Sequence, residues 1–254
     1  MNAPTYQDYH NDFLKILGQL ARYKHRYDVF RDFVTFTALS LANALYMDEE
    51  RESEYHQMRK TYKPEHMEMF PKLFGLLVQM LDFAPRDVLG QLYMELEISS
   101  KDKGQFFTPS HVSDLMTELT YGDELQNTKK PFITLSEPAC GAGGMVLSFV
   151  KTMLAAGHDP AQKLWVQAID IDRLPALMCY VQLSLWHVPA EILVGDSLRW
   201  DIREVWLTPS HHLGNWSYKL KSQRKAKPKE TKRSAEKLAR SDTYIQPEQF
   251  DFGF

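Results

Sequence analysis

The apolar positions of the first hundred residues recur at helical spacing. Phe13, Ile16, Leu17 and Leu20 fall on one side of a 3.6-residue period and predict an amphipathic helix. A second apolar stretch, Phe30 to Leu45, has no Gly or Pro inside it, and Asp28 is placed to cap it. Charged residues then dominate 48–63, and Pro64 punctuates that run. Residues 70–83 are strongly apolar, and Pro85 opens a further helix through Leu89, Leu92, Tyr93 and Leu96. The frequent Met and aromatic side chains of this region read as helix-packing core.

After Lys101 the pattern changes. Phe132 to Leu135 is a short apolar run of the buried-strand type, and a Gly-rich turn and a helix over Met145–Ala156 follow it. Leu164 to Ile169 is a second strand. Leu174 to Trp186 is a second helix, with Pro175 tolerated in its first turn. Ile192-Leu193-Val194 is a third strand and Val205-Trp206-Leu207 a candidate fourth. Strands alternating with helices predict an α/β fold with a parallel sheet and right-handed crossovers. No internal repeat is visible.

Composition narrows this only a little. At 254 residues, 44% hydrophobic and 25% charged, the chain has enough material for one large domain or two modest ones. The pattern divides it into a helical region, 1–100, an α/β core, 101–215, and a basic, flexible tail, 216–254. Two cysteines, Cys140 and Cys179, offer neither a disulfide framework nor a zinc spacing. With no membrane-length apolar run and no signal pattern at the start, a cytoplasmic location is expected. Charge is uneven. Residues 219–240 hold ten Lys or Arg and two Glu, a local +8, so the remainder carries −11 of the net −3. Such a tail fits nucleic-acid contact, and equally a solvated segment.

Three acids stand where three successive strands end. Glu137 precedes the loop Gly141-Ala142-Gly143-Gly144, whose glycines let backbone approach a ligand closely before a helix start. Asp170 ends the second strand, where a carboxylate can accept hydrogen bonds from two ribose hydroxyls. Asp196 ends the third, where it can accept from an adenine amino group. Each acid could alone be a helix cap or a turn residue. Open parallel sheets, however, bind ligands at the carboxyl ends of their strands.

These residues resemble those of the adenine-N6 DNA methyltransferases, most of all the modification subunits of type I restriction–modification systems. Gly104-Gln105-Phe106-Phe107-Thr108-Pro109 resembles the motif that precedes the cofactor loop and closes over the methionine end. Glu137-Pro138-Ala139-Cys140-Gly141-Ala142-Gly143-Gly144-Met145 resembles the loop itself. The resemblance implies a truncated Rossmann-like S-adenosylmethionine-dependent methyltransferase domain. Its cofactor-binding residues would be Phe107, Thr108, Glu137, Pro138, Ala139, Gly141, Gly143, Asp170, Ile171, Asp196 and Ser197. Thr108 before Pro109 also reads as a helix cap. Cys140 reads as a small buried residue rather than a nucleophile.

The chain departs from that family in one respect that matters for chemistry. Methylating members carry Asn or Asp, then Pro-Pro, then Tyr or Phe, after the fourth strand. The exocyclic amine of adenine is a weak nucleophile, so two carbonyls must accept its hydrogens and an aromatic ring must hold the extruded base. The corresponding place here holds Leu207-Thr208-Pro209-Ser210-His211-His212. Thr208, Pro209 and His211 are therefore the candidate catalytic residues, and a Thr-Pro-Ser turn with exposed histidines is the other reading. No metal is expected at His211-His212. The sheet should stop near its fourth strand, leaving an edge for residues 250–254 or a second chain to cover. The expected function is S-adenosylmethionine-dependent transfer of methyl to adenine N6 in DNA. The competing expectation is an inactive relative that binds DNA or a restriction–modification partner as a regulator or anti-restriction factor. RNA or protein is a further candidate acceptor. Expected partners are DNA, through residues 219–240, and a specificity subunit or further copies of the chain.

Overall fold

The computed structural model describes residues 3–97 and 108–226. Residues 104–107 of the first motif, including Phe107, and residues 250–254 lie outside the described residues. The helices of the amino-terminal part are α1 (Tyr6–Leu20), α2 (Arg26–Asn43), α3 (Glu49–Arg59), α4 (Pro64–Met67), α5 (Met69–Asp82) and α6 (Val88–Glu97). Then come α7 (Ser110–Asn127), β1 (Ile133–Glu137), α8 (Gly144–Ala155), α9 (Pro160–Lys163), β2 (Leu164–Asp170), α10 (Arg173–Leu185), β3 (Ala190–Asp196), β4 (Asp201–Leu207) and α11 (Pro209–Leu213). These belong to one compact unit, Met1–Gly214. The second unit, Asn215–Phe254, has α12 (Trp216–Ala226) as its described part.

Local chemistry sets most boundaries. Thr5 and Asp8 make a reciprocal capping box at the start of α1. The cap of α2 is His25, whose ring accepts from the Tyr27 N–H. Asp28, expected to be the cap, instead lies in the first turn, where its charge favours the helix start. Likewise α7 begins at Ser110 with Pro109 at its cap position and no side-chain cap, so Thr108 does not cap it. Asp172 caps α10 by accepting from the Leu174 N–H.

One hydrophobic core runs from Phe13 to Trp206. Its centre is α10, of which every residue from Leu174 to Ser184 is buried. A helix apolar all round must be covered all round. Here β2 and β3 cover one side, and α2, α5 and α6 cover the other. The helical region is thus the outer layer over the sheet.

The sheet order is β1-β2-β3-β4. β1, β2 and β3 are parallel, as the alternation of strands and helices predicts. β4 runs antiparallel to β3, from Asp201 opposite Asp196 to Leu207 opposite Glu191, with a bulge at Val194/Gly195. The parallel expectation fails here for a physical reason. A crossover between parallel strands needs about a dozen residues or more, and only Ser197 to Trp200 lie between β3 and β4. Among the described residues β1 and β4 are therefore the sheet's margins. Arg51 of α3 donates to the Val205 carbonyl at 2.9 Å and covers part of the β4 margin. No described helix is long and apolar enough to cross a membrane.

Candidate functional site

The loop between β1 and α8 is held in an unusual backbone shape. Gly141 and Gly143 have φ of 52° and 93°, a region that side-chain-bearing residues rarely adopt. A Cβ on Gly143 would lie 3.0 Å from Cys179 Sγ, so a larger residue there would have to displace that side chain of α10 as well as strain the backbone. The Gly143 N–H closes the turn onto the Cys140 carbonyl at 2.8 Å. The N–H groups of the first turn of α8, at Gly144, Met145 and Val146, precede the helix's own hydrogen-bond ladder and form an anion-receiving end. Cys140 is buried, and its contact with the Cys179 thiol, with burial second, pushes its pKa up. It is a packed thiol, not a thiolate.

Asp170, at the end of β2, grips this loop. Its Oδ2 accepts from the Gly141 N–H at 2.8 Å, and its Oδ1 from the Asp172 N–H at 2.9 Å. The Ile171 N–H is a third backbone donor to this carboxylate, and of its about four acceptor positions one is left for a ligand's hydroxyl. Burial raises the Asp170 pKa above the ordinary value of 3.8, against the lowering effect of those N–H donors. Asp196 ends β3, with its Oδ1 accepting from the Leu198 and Arg199 N–H groups at 2.9 and 3.0 Å. Its Oδ2 lies 3.8 Å from the Arg199 guanidinium, which is itself exposed. Glu137 Oε1 turns back to accept from the Ala139 N–H at 3.2 Å. The three acids thus share the carboxyl end of the three parallel strands.

Three apolar side chains in the turns that follow the acids are exposed, beside the exposed Arg199. Ile171 is 64% exposed, Leu198 97% and Trp200 60%. Trp200 has a left-handed φ of 56° in the tight β3–β4 turn. Arg203 of β4 donates to the Ile171 carbonyl and ties that turn to the end of β2. Ser197 is half-buried beside Asp196, and Pro138, Ala139 and Thr108 are exposed. Carboxylates beside exposed apolar side chains can meet a nucleoside, whose hydroxyls and amine need acceptors and whose flat ring needs apolar contact.

The structure does not bring Thr208, Pro209 and His211 to this end. The antiparallel course of β4 carries them to the opposite end of the sheet. The Thr208 hydroxyl donates to the Val188 carbonyl and accepts from the Ala190 N–H, both at 2.8 Å, and its side chain is fully buried. Six residue steps along β3 then separate it from Asp196, roughly 20 Å at about 3.3 Å per residue. Methyl transfer needs reacting atoms about 3–3.5 Å apart, so these residues cannot hold an acceptor at the loop. Neither does the reading of exposed histidines hold for His211. It is buried, and its Nδ1 accepts from Trp165 Nε1 at 3.0 Å. Burial, then its neighbour His212, lowers its pKa. His212 packs on Tyr46 at a ring separation of 4.5 Å. Among the described residues no three His, Cys, Asp or Glu side chains converge as a metal site. Replacing Thr208 with Val should therefore cost about 1–3 kcal/mol of stability, through two stranded backbone groups, and leave ligand affinity at the acids unchanged. Denaturant unfolding and calorimetry on the same variant check both halves.

Two residues were missed by pattern. Asp87 accepts from the Gly90 N–H at 2.7 Å, and Gln182 of α10 donates to the Ala142 carbonyl in the loop at 2.8 Å. The available signals were an Asp three residues before a Gly at a helix start, and a lone amide inside an otherwise apolar helix.

The sequence profile of the N-6 DNA methylase family matches residues 85–242, more than half of the chain. No curated protein sequence matches. Among solved structures, the chain is similar to a Listeria monocytogenes protein assigned as a class I S-adenosylmethionine-dependent methyltransferase. The identity is 13% and the TM-score 0.42, over 75% of this chain and 54% of that one. It is also similar to a Vibrio vulnificus protein assigned as the modification subunit of a type I restriction enzyme. There the identity is 18% and the TM-score 0.35, over 54% of this chain and 25% of that one. The chain therefore spans about half the length of the first relative and a quarter of the second.

Proposed function

Because the chain belongs to the N-6 DNA methylase family, we propose that it binds S-adenosylmethionine across the carboxyl ends of β1, β2 and β3 and serves methyl transfer to adenine N6 in DNA. The observation that carries this reading is that Glu137, Asp170 and Asp196 end three adjacent parallel strands at the side where a loop with two left-handed glycines leaves β1, and that Asp170 holds that loop. Asp170 would hold a ribose hydroxyl and Asp196 the adenine amine, with Ile171 and Ser197 beside the ring. The start of α8 would receive the carboxylate of the methionine end, with Pro138, Ala139, Gly141 and Gly143 shaping the loop. When bound, the cofactor supplies an electrophilic methyl on a sulfonium. The chain's part is to orient it and exclude water.

Acceptor binding is a separate requirement. A target adenine needs carbonyls for its amine and a ring to stack on, and Thr208 to His211 lie too far away to supply them. We therefore propose that a second polypeptide, a specificity subunit or another copy of the chain, completes the acceptor side, with residues 219–240 as a basic contact for DNA. The alternative, a cofactor-binding regulator of restriction–modification without catalysis, is favoured by that same distance. Incubation with labelled cofactor and DNA, with and without candidate partners, separates the two. Label in DNA only with a partner supports the first, label in no condition supports the second, and no binding by calorimetry overturns both.

Asp170 also sets a pH expectation. A ribose hydroxyl binds its carboxylate, and burial raises its pKa above 3.8. Protonation removes the acceptor, so affinity should fall on acidification, beginning at a higher pH than an ordinary aspartate would cause, and recover fully at neutral pH. Calorimetry across mildly acidic buffers tests this. A flat profile down to the ordinary aspartate range would contradict the assignment.

A further inference from the structure

The cofactor loop consists of small residues and so has no side chains with which to hold its own shape. Backbone of this kind loses the most conformational freedom on folding, and its geometry must be imposed by neighbours. From the ligand side Asp170 does this, through Gly141. From behind, the neighbour is Gln182. Its Nε2 donates to the Ala142 carbonyl at 2.8 Å and to Asp87 Oδ1 at 2.9 Å. Its Oε1 accepts from the Val88 and Leu89 N–H groups, at 2.8 and 3.1 Å. These are the first two N–H groups of α6, which the helix's own ladder does not pair, and the Val88 N–H is shared with the Arg86 carbonyl at 3.0 Å. Asp87 Oδ1 accepts in addition from the Gly90 N–H. One amide thereby fills two donor and two acceptor positions, and both side chains are buried. A carboxylate in place of Gln182 lacks the donors, and an alkyl chain lacks everything. Asp87 also lies under the start of α8, since a Cβ on Gly144 would be 3.6 Å from its Oδ2.

We propose that Gln182 and Asp87 are positioning residues for the cofactor loop. Through the Ala142 carbonyl they hold the loop in the shape that receives the carboxylate end of the cofactor, and they couple that shape to the first turn of α6. Neither touches the ligand. The inference rests on the cofactor reading above and adds to it a dependence on the helical layer. It predicts a division within one ligand: the nucleoside half answers to Asp170 and Asp196, the amino-acid half to the loop and hence to Gln182.

The test uses Gln182→Met, which keeps the volume and removes all four hydrogen bonds, with Asp87→Ala as a second variant and Asp87→Asn as the conservative one. Calorimetry should show affinity for S-adenosylhomocysteine falling about tenfold or more in the first two, while affinity for adenosine is retained. Asp87→Asn keeps an acceptor toward Gly90 and Gln182 and should bind like the parent. In the ligand-free protein, amide exchange should quicken together at Gly141–Met145 and at Val88 and Leu89, and not in β3 and β4. Equal losses for both ligands, or an unchanged exchange rate in the loop, would overturn the proposal. If the parent protein binds neither ligand, the cofactor reading fails, and amide exchange alone decides whether Gln182 holds the loop.

Discussion

Asp170→Ala is expected to reduce affinity for S-adenosylhomocysteine by about a hundredfold, or roughly 3 kcal/mol. The size follows from the number of roles the carboxylate fills. It would accept from a ribose hydroxyl of the ligand, and it already accepts from the N–H groups of Gly141 and Asp172. Removing it deletes the ligand contact and also frees the loop on which the other end of the ligand depends. Asp170→Asn should cost less, since one oxygen can still accept from Gly141 while the charge is lost. Loss of a single exposed acceptor would cost tenfold or less. An affinity within threefold of the parent for the Ala variant would show that the ribose lies elsewhere. Equal losses for Ala and Asn would show that charge, and not loop geometry, is what matters.

The largest stability effect is expected at Trp206. Replacing it with Ala should cost about 3–5 kcal/mol, a large share of the 5–15 kcal/mol by which domains of this kind are stable. Trp206 is 1% exposed and carries the packing of β4 onto the rest of the unit. Its ring lies 5.3 Å from that of Tyr180 on α10, and the Arg51 guanidinium stacks on it at 4.2 Å. Its Nε1 donates to Glu204, which also pairs with Arg173 at 2.9 Å. Arg173 in turn reaches Glu54 on α3 at 2.8 Å. A single deletion therefore leaves a cavity and loosens the charges around it. Trp206→Phe keeps most of the buried area and should cost clearly less. The midpoint of denaturant unfolding should move at an unchanged slope. A loss below 1 kcal/mol for the Ala variant would mean that β4 is not anchored through this ring.

Much of the fold was legible along the chain. The helical period of Phe13, Ile16, Leu17 and Leu20 appears as α1, where Phe13, Leu17 and Leu20 are buried. The apolar runs at 132–135, 164–169 and 192–194 fall within or overlap β1, β2 and β3. The loop and its three flanking acids were legible because each is a local signal, a strand end followed by a turn. Their mutual placement then followed from the parallel order of three strands. Less was legible where one residue acts at a distance. Gln182 stands 94 residues from the Val88 N–H it accepts from, and no periodicity reports such a pairing. The misplaced caps at Asp28 and Thr108 are errors of three residues and of one residue in helix starts, where neighbouring positions offer nearly equal chemistry.

The clearest division concerns the two ends of the sheet. The sequence by itself determined the end that carries the glycine loop and the acids. Gly141 and Gly143 can adopt left-handed backbone, and Asp170 and Asp196 close strands whose apolar residues must be buried. The far end was decided only by the tertiary structure. The similarity of Thr208-Pro209-Ser210-His211 to a catalytic position rests on order along the chain, and order does not specify direction. Direction was set by the four residues between Asp196 and Asp201, too few for a crossover, and by the bulge at Val194/Gly195 that lets β4 turn back along β3. That reversal buries the Thr208 hydroxyl against Val188 and Ala190, a packed support roughly 20 Å along β3 from Asp196 at the other end.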